Sequence, residues 1–225
     1  MAKLYGLGVG PGDSELVTLK AVRLMKECDV IAIPGENPEE SVAYKIALGA
    51  CPEIADKEQL LVTTPMTKDK TILENGYKAA AEKIEALLKE GKDVALLTLG
   101  DPTIYSTYIY IHRIVKSDGF DTEIISGVPS FCAVSAKLGD SLVDRDQQLH
   151  VIPASYQIEE SLELSGTKIL MKAASKFGVV KEILVEKDSK AAMIENCGMP
   201  EERIYHSLDE FPDKASYYTI VTIKE

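Results

Sequence analysis

The stretch that most constrains this chain is a strand that cannot continue. Val94-Ala95-Leu96-Leu97-Thr98 is an apolar run of strand length, and it meets Gly100-Asp101-Pro102, after which a helical pattern begins. Pro102 has no N–H to extend a ladder. Gly100 lets the backbone lie close to a neighbour or a ligand, and Asp101 supplies an acceptor or a helix cap. A buried strand that hands over to a helix is half of a βαβ unit, and the carboxyl end of such a strand is where α/β proteins bind ligands. Taken alone, the turn reads equally as an ordinary βα connection and as one wall of a site.

The same alternation runs through the chain. Strands are expected at residues 3–9, 29–34, 59–62 and 94–98, and helices at 19–27, 41–48 and 71–89. Thr18 is placed to cap the first helix, and Gly91 to end the third, whose stripe is Ile72, Tyr77, Ala80, Ile84, Leu87 and Leu88. The helix after Gly-Asp-Pro is expected to carry Tyr105, Tyr108, Ile109, His112 and Val115, with Tyr105 and Tyr108 on one face. A domain boundary is expected near Ser117-Asp118-Gly119, giving an N-terminal α/β domain, 1–117, and a C-terminal α/β domain, 118–225. The second is expected to hold strands 121–125, 149–152, 168–171, 191–195 and 216–223 and helices 131–138 and 176–185, with 159–165 a polar connection. Such alternation implies mainly parallel sheet covered on both faces.

Composition narrows the partners. The 225 residues are 45% hydrophobic and 27% charged, with a net charge of −11. No dense Lys/Arg block overrides that charge, so nucleic acid is not the expected partner. No apolar run reaches the length of a membrane span, and Met1-Ala2-Lys3-Leu4-Tyr5 runs straight into a strand pattern, so neither membrane nor signal peptide is expected. Cys28, Cys51, Cys132 and Cys197 are scattered, as are His112, His150 and His206. That pattern fits reduced thiols in the cytoplasm and no protein-bound metal.

A second glycine run, Gly8-Val9-Gly10-Pro11-Gly12-Asp13, follows the first strand. It is not a dinucleotide fingerprint, because Asp13 stands where the third glycine belongs, and no Lys-Ser/Thr pair follows to make a phosphate loop. With Leu16-Val17-Thr18-Leu19-Lys20-Ala21 it resembles the opening signature of the tetrapyrrole methylases. Gly100-Asp101-Pro102 resembles their second signature and Gly127-Val128-Pro129-Ser130 their third. Within the family, Thr103 to Tyr108 and Ser126 to Ala133 look like the methyltransferases that act at C-20 of precorrin-2, some of them on the cobalt-loaded form. Ser126 departs from the proline that many relatives carry there.

The resemblance implies two α/β domains in a non-Rossmann arrangement, with S-adenosylmethionine bound in a cleft between them, and a homodimer. It implies cofactor contacts at Pro11, Leu99, Gly100, Asp101, Ile104, Pro129, Ser130, Met171 and Cys197 or Gly198. It implies a tetrapyrrole substrate rich in carboxylates, for which Lys20, Arg113, Arg145 and Lys172 are candidate partners. Methyl transfer from a sulfonium to an electron-rich carbon needs alignment and exclusion of water, with no activated Ser, Cys or metal. Tyr105 and Tyr108 are the candidates for contact with the macrocycle or for removing the departing proton. A sister methylase with another target, and a non-catalytic tetrapyrrole or S-adenosylmethionine binder, are the alternatives.

Overall fold

The computed structural model describes residues 2–154 and 158–224, so Met1 of the opening run lies outside the described residues. The chain divides into two compact units, Met1–Pro129 and Ser130–Glu225. In the first unit, β1 (Lys3–Gly8), β2 (Val30–Pro34), β3 (Glu58–Val62), β4 (Val94–Thr98) and β5 (Asp121–Ile125) form a sheet in the order β3-β2-β4-β1-β5. Every pairing in it is parallel. The connecting helices are α1 (Leu19–Glu27), α2 (Val42–Ala50), α3 (Lys70–Lys89) and α4 (Tyr108–Ser117).

Strand periodicity explains why these segments read as unbroken apolar runs. Along β2, Ile31 and Ile33 face one core and Val30 and Ala32 the other; along β4, Ala95 and Leu97 oppose Val94 and Leu96. Both faces are covered, so both phases of the period-two pattern are apolar. The first core takes Leu24 and Met25 from α1 and Ile46 and Ala47 from α2; the second takes Ala80 and Ile84 from α3 and Ile111 and Val115 from α4.

The helix ends follow local chemistry. Thr18 Oγ1 accepts the Ala21 N–H at 3.2 Å. Asp69 caps α3 through the Thr71 and Ile72 N–H groups. Gly91, at φ +84, closes α3 while the Lys92 N–H reaches the Leu87 carbonyl.

Three expectations are corrected here. The boundary near Ser117–Gly119 falls inside the first unit, because β5 pairs with β1 from Lys3↔Asp121 to Leu7↔Ile125. The helix after Gly-Asp-Pro does not start at once. It begins at Tyr108, and Tyr105, at φ +48, lies outside it, so Tyr105 and Tyr108 share no helix face. The mainly parallel pattern holds only in the first unit.

The second unit contains α5 (Ser130–Leu138), β6 (Leu149–Pro153), α6 (Glu159–Leu162), β7 (Thr167–Met171), α7 (Phe177–Glu186), β8 (Lys190–Glu195), β9 (Arg203–Tyr205) and β10 (Thr219–Lys224). Its sheet has the order β6-β7-β10-β8-β9. Only β6 and β7 are parallel; β10 runs antiparallel to both β7 and β8, and β9 antiparallel to β8. Val221 and Ile223 of β10 join Leu170, Phe177, Val180 and Leu184 in one core. The strand expected at 216–223 begins only at Thr219. Ser216 is held out of it by donating its N–H to Glu195 Oε1 at 2.6 Å and accepting the Thr219 hydroxyl at 2.7 Å.

One buried carboxyl affects stability. Glu85 of α3 is 7% exposed, its Oε1 has no hydrogen-bond partner among the described residues, and Lys89 Nζ stands 3.9 Å from Oε2. Burial first, and the neighbouring Asp118 carboxyl second, raise its pKa above the usual carboxylate range. Between the ordinary and the raised value the folded state holds a proton that the unfolded chain has lost. Stability therefore falls as pH rises through that window. Glu85→Gln is expected to flatten this fall, with its largest gain in melting temperature on the alkaline side. Parallel melting-versus-pH curves for the two proteins would refute the assignment.

Candidate functional site

Three turns spread over more than a hundred residues of sequence meet at the carboxyl ends of β4, β1 and β5. Beyond β1, the Val9 N–H donates to the Thr98 carbonyl at 2.9 Å. Gly10 and Gly100 then exchange two backbone hydrogen bonds, Gly100 N–H to Gly10 O at 2.8 Å and Gly10 N–H to Gly100 O at 3.3 Å. The Gly8–Gly12 loop is thereby fastened to the Gly-Asp-Pro turn.

Asp101 fastens the third turn. Its side chain is buried, with 8% exposure. Oδ1 accepts the Thr103 N–H at 2.8 Å and the Thr103 hydroxyl at 2.5 Å; Oδ2 accepts the Gly127 N–H at 3.1 Å. Asp-x-Thr is thus an Asx turn, a local fold of side chain onto backbone that lets Pro102 sit in the bend. Asp101 thus accepts three hydrogen bonds from its own chain, two within its turn and one across to the Gly127 turn.

The glycines make that approach possible. A Cβ at Gly8 would stand 2.4 Å from the Gly127 nitrogen, and one at Gly127 would stand 2.2 Å from the Gly100 oxygen. Gly100 differs: it is at φ +70, and a Cβ there would meet nothing within 4 Å. The space beside its Cα is open, although its N–H and carbonyl are both bonded to Gly10.

Of the residues singled out from sequence, Pro11, Leu99, Gly100, Asp101 and Ile104 are brought together at this sheet end, with Pro129 two residues beyond Gly127. Leu99 packs on the core of α1 and α2. Gly127 and Thr103 complete the Asp101 cluster; the Asp-x-Thr spacing signals Thr103, and no local pattern signals Gly127.

Ser130, Met171, Cys197 and Gly198 belong to the second unit. Ser130 opens α5. Met171 is the last residue of β7, pairs with Ile220 and Pro153, and accepts the Ala154 N–H at 2.7 Å. Cys197 is buried just beyond β8, and Gly198, at φ +74, donates its N–H to Glu202 Oε2 at 2.6 Å. Since β7 and β8 both run antiparallel to β10, Met171 and Cys197 mark the same end of that sheet.

The candidate tyrosines separate. Tyr108 is 2% exposed, and its ring fills the space beside Gly6, where a Cβ would come within 2.1 Å of Cζ. Its hydroxyl donates to the Glu123 carbonyl at 3.2 Å and lies 3.0 Å from His112 Nδ1. Burial pushes the phenol pKa well up and the His112 pKa down. Tyr108 is a core side chain. Tyr105 is 46% exposed.

Among the candidate cations, Lys20 is paired with Glu123 at 2.7 Å. Arg113 is exposed on α4, and Arg145 stands at φ +53 in the second unit. Burial lowers the Lys172 pKa. Among the described residues no group of three or more His, Cys, Asp or Glu side chains is placed to hold a metal ion, and no helix is long and apolar enough to cross a membrane.

Residues 3–212 match the family described as Tetrapyrrole (Corrin/Porphyrin) Methylases. A probable cobalt-precorrin-2 C(20)-methyltransferase of Methanocaldococcus jannaschii is 34% identical over 229 aligned residues, covering 99% of this chain and 96% of that protein. A precorrin-2 C(20)-methyltransferase of a Sinorhizobium species is 28% identical, covering 99% of this chain and 95% of that one. Among solved structures, the uroporphyrin-III C-methyltransferase of Thermus thermophilus in complex with S-adenosylhomocysteine has a TM-score of 0.74 at 20% identity, covering 100% of this chain and 98% of that one.

Proposed function

The chain belongs to the tetrapyrrole methylase family, and on that premise we propose that it transfers a methyl group from S-adenosylmethionine to the C-20 meso carbon of precorrin-2, or of its cobalt-loaded form, in cobalamin biosynthesis. The observation that carries the reading is the convergence of the three signature turns around Gly100 and Asp101 at the carboxyl end of the first sheet. That is the ligand end of an open parallel sheet.

The residues fit the methyl donor in two respects. Gly100 leaves the space beside its Cα open to a ligand, and α5 begins at Ser130 with the N–H groups that suit a carboxylate. Pro11, Leu99, Gly100 and Ile104 in the first unit, and Pro129, Ser130, Met171 and Cys197–Gly198 further along, are the contacts in this reading. Met171 offers a polarizable thioether to a flat ring.

The bound donor supplies an electrophilic methyl group. The chain's own part is to align that group with the substrate carbon and to keep water out. Asp101 holds the wall in shape through Thr103 and Gly127. Tyr108 takes no proton, because its hydroxyl is buried and already donates to a carbonyl. Cobalt, where present, travels with the substrate. The enzyme works as a homodimer in the cytoplasm, with neither nucleic acid nor membrane as a partner.

Incubation with S-adenosylmethionine under anaerobic conditions is expected to yield S-adenosylhomocysteine only when precorrin-2 or its cobalt form is added. Tight tetrapyrrole binding with no S-adenosylhomocysteine would identify a binding module instead and overturn the proposal.

A further inference from the structure

Among the described residues of the first unit, the exposed large apolar side chains are Leu19, Met66, Ile72, Tyr105 and Tyr110. All lie at one end of the sheet. Leu19 opens α1, Ile72 and Tyr110 sit in the first turns of α3 and α4, Met66 lies between β3 and α3, and Tyr105 lies between β4 and α4. In a parallel sheet the helices start where the strands stop, so every one of these side chains is at the ligand end. Tyr110 also stacks flat on Tyr77, with centroids 4.9 Å apart and planes 4° from parallel.

Tyr105 stands apart from the others in its backbone. At φ +48 it occupies the left-handed region, which a bulky side chain adopts only with strain and which Gly or Asn would take more easily. It is clamped from both sides. The Asp101–Thr103 turn fixes the chain before it, and Ser106 Oγ, accepting the Tyr108 N–H at 3.1 Å, fixes the chain after it. Its ring is half exposed, so core burial does not account for a tyrosine at this position. Strain of this kind collects where a side chain must be presented to a ligand.

We propose that Tyr105 is a substrate-contacting specificity residue, whose ring is held by this clamped turn against the flat face of the tetrapyrrole. The assignment rests on the methyltransferase reading. Ring stacking is the interaction in question, so the aromatic face matters and the hydroxyl does not.

The test uses full-length protein and three readouts: melting temperature, KM for the tetrapyrrole and KM for S-adenosylmethionine. Tyr105→Gly is expected to melt at or above the wild-type temperature while its tetrapyrrole KM rises about tenfold and its S-adenosylmethionine KM stays within about twofold. Tyr105→Phe is expected to keep both KM values at the wild-type level. An unchanged tetrapyrrole KM in Tyr105→Gly, an equal rise in both KM values, a fall in melting temperature, or a loss in Tyr105→Phe as large as in Tyr105→Gly would each overturn the assignment. A wild type that transfers no methyl group overturns the methyltransferase reading, and this assignment with it. A wild type that turns over alongside an equally active Tyr105→Gly overturns this assignment alone.

Discussion

Asp101→Ala is expected to lower folding stability by about 2–4 kcal/mol and to weaken S-adenosylmethionine binding at the same time. The buried carboxylate takes three donors, from the Thr103 N–H, the Thr103 hydroxyl and the Gly127 N–H. Alanine leaves all three without their acceptor. Thr103 is exposed and its N–H can turn to water, but Gly127 is half-buried, so its loss dominates. Asp101→Asn separates the two sides of the cluster. An amide has one oxygen, which serves Thr103 or Gly127 and not both, while its NH2 meets an N–H on the other side. Asn is therefore expected to recover only part of the loss. Denaturant melts with cofactor titrations on the same samples decide the matter. Wild-type stability with lost cofactor affinity would make Asp101 a ligand-holding group, and the cluster a minor feature of the fold.

Gly127→Ala is expected to be at least as damaging, by about 3 kcal/mol or more, and for a different reason. The added Cβ would stand 2.2 Å from the Gly100 oxygen and 2.8 Å from the Gly8 backbone. Each atom it meets is main chain, and none can swing aside as a side-chain tip would. The turns must separate, and the Asp101–Gly127 hydrogen bond goes with them. Gly178→Ala is the control. That glycine is in α7 with nothing within 4 Å of its Cβ position, so alanine there is expected to stabilise by about 0.5–1 kcal/mol through helix propensity and a less free unfolded chain. If both variants melt like the wild type, the turns are not in close contact in solution.

The first sheet was legible because its physics is local and repeated. β2 and β4 are apolar on both faces, Thr18 caps α1 by its own hydroxyl, and Gly91 ends α3 at a positive φ. What escaped is long-range or weakly marked. Asp121 to Ile125 looks like the start of a second set of elements, yet it joins the first sheet beside β1, a pairing no local pattern announces. β9 is three residues at a sheet edge, with too little burial to leave a periodic trace. Nothing in the sequence signals that Tyr105 takes a left-handed backbone and delays α4 to Tyr108.

The site was legible in its parts. Each glycine turn stands out by composition, and the family resemblance links them. Their convergence depends on tertiary contacts across the strand order β4-β1-β5. This is why Asp101, expected as a cofactor contact, also ties its own turn to the Gly127 turn, while Gly100 ties that turn to the Gly10 loop. The same distance effect removed Tyr108 from the chemistry: Gly6, far away in sequence, provides the space its ring fills.

The most direct measurement is the position of the transferred methyl. The protein would be supplied with S-adenosylmethionine carrying an isotopically labelled methyl group, together with precorrin-2 in one reaction and its cobalt form in another. Nuclear magnetic resonance would then locate the label in the product. A single labelled methyl at C-20, with the meso proton lost, is the expected result in at least one of the two. A label at any other ring position, or unmodified tetrapyrrole in both reactions with folded protein, would contradict it.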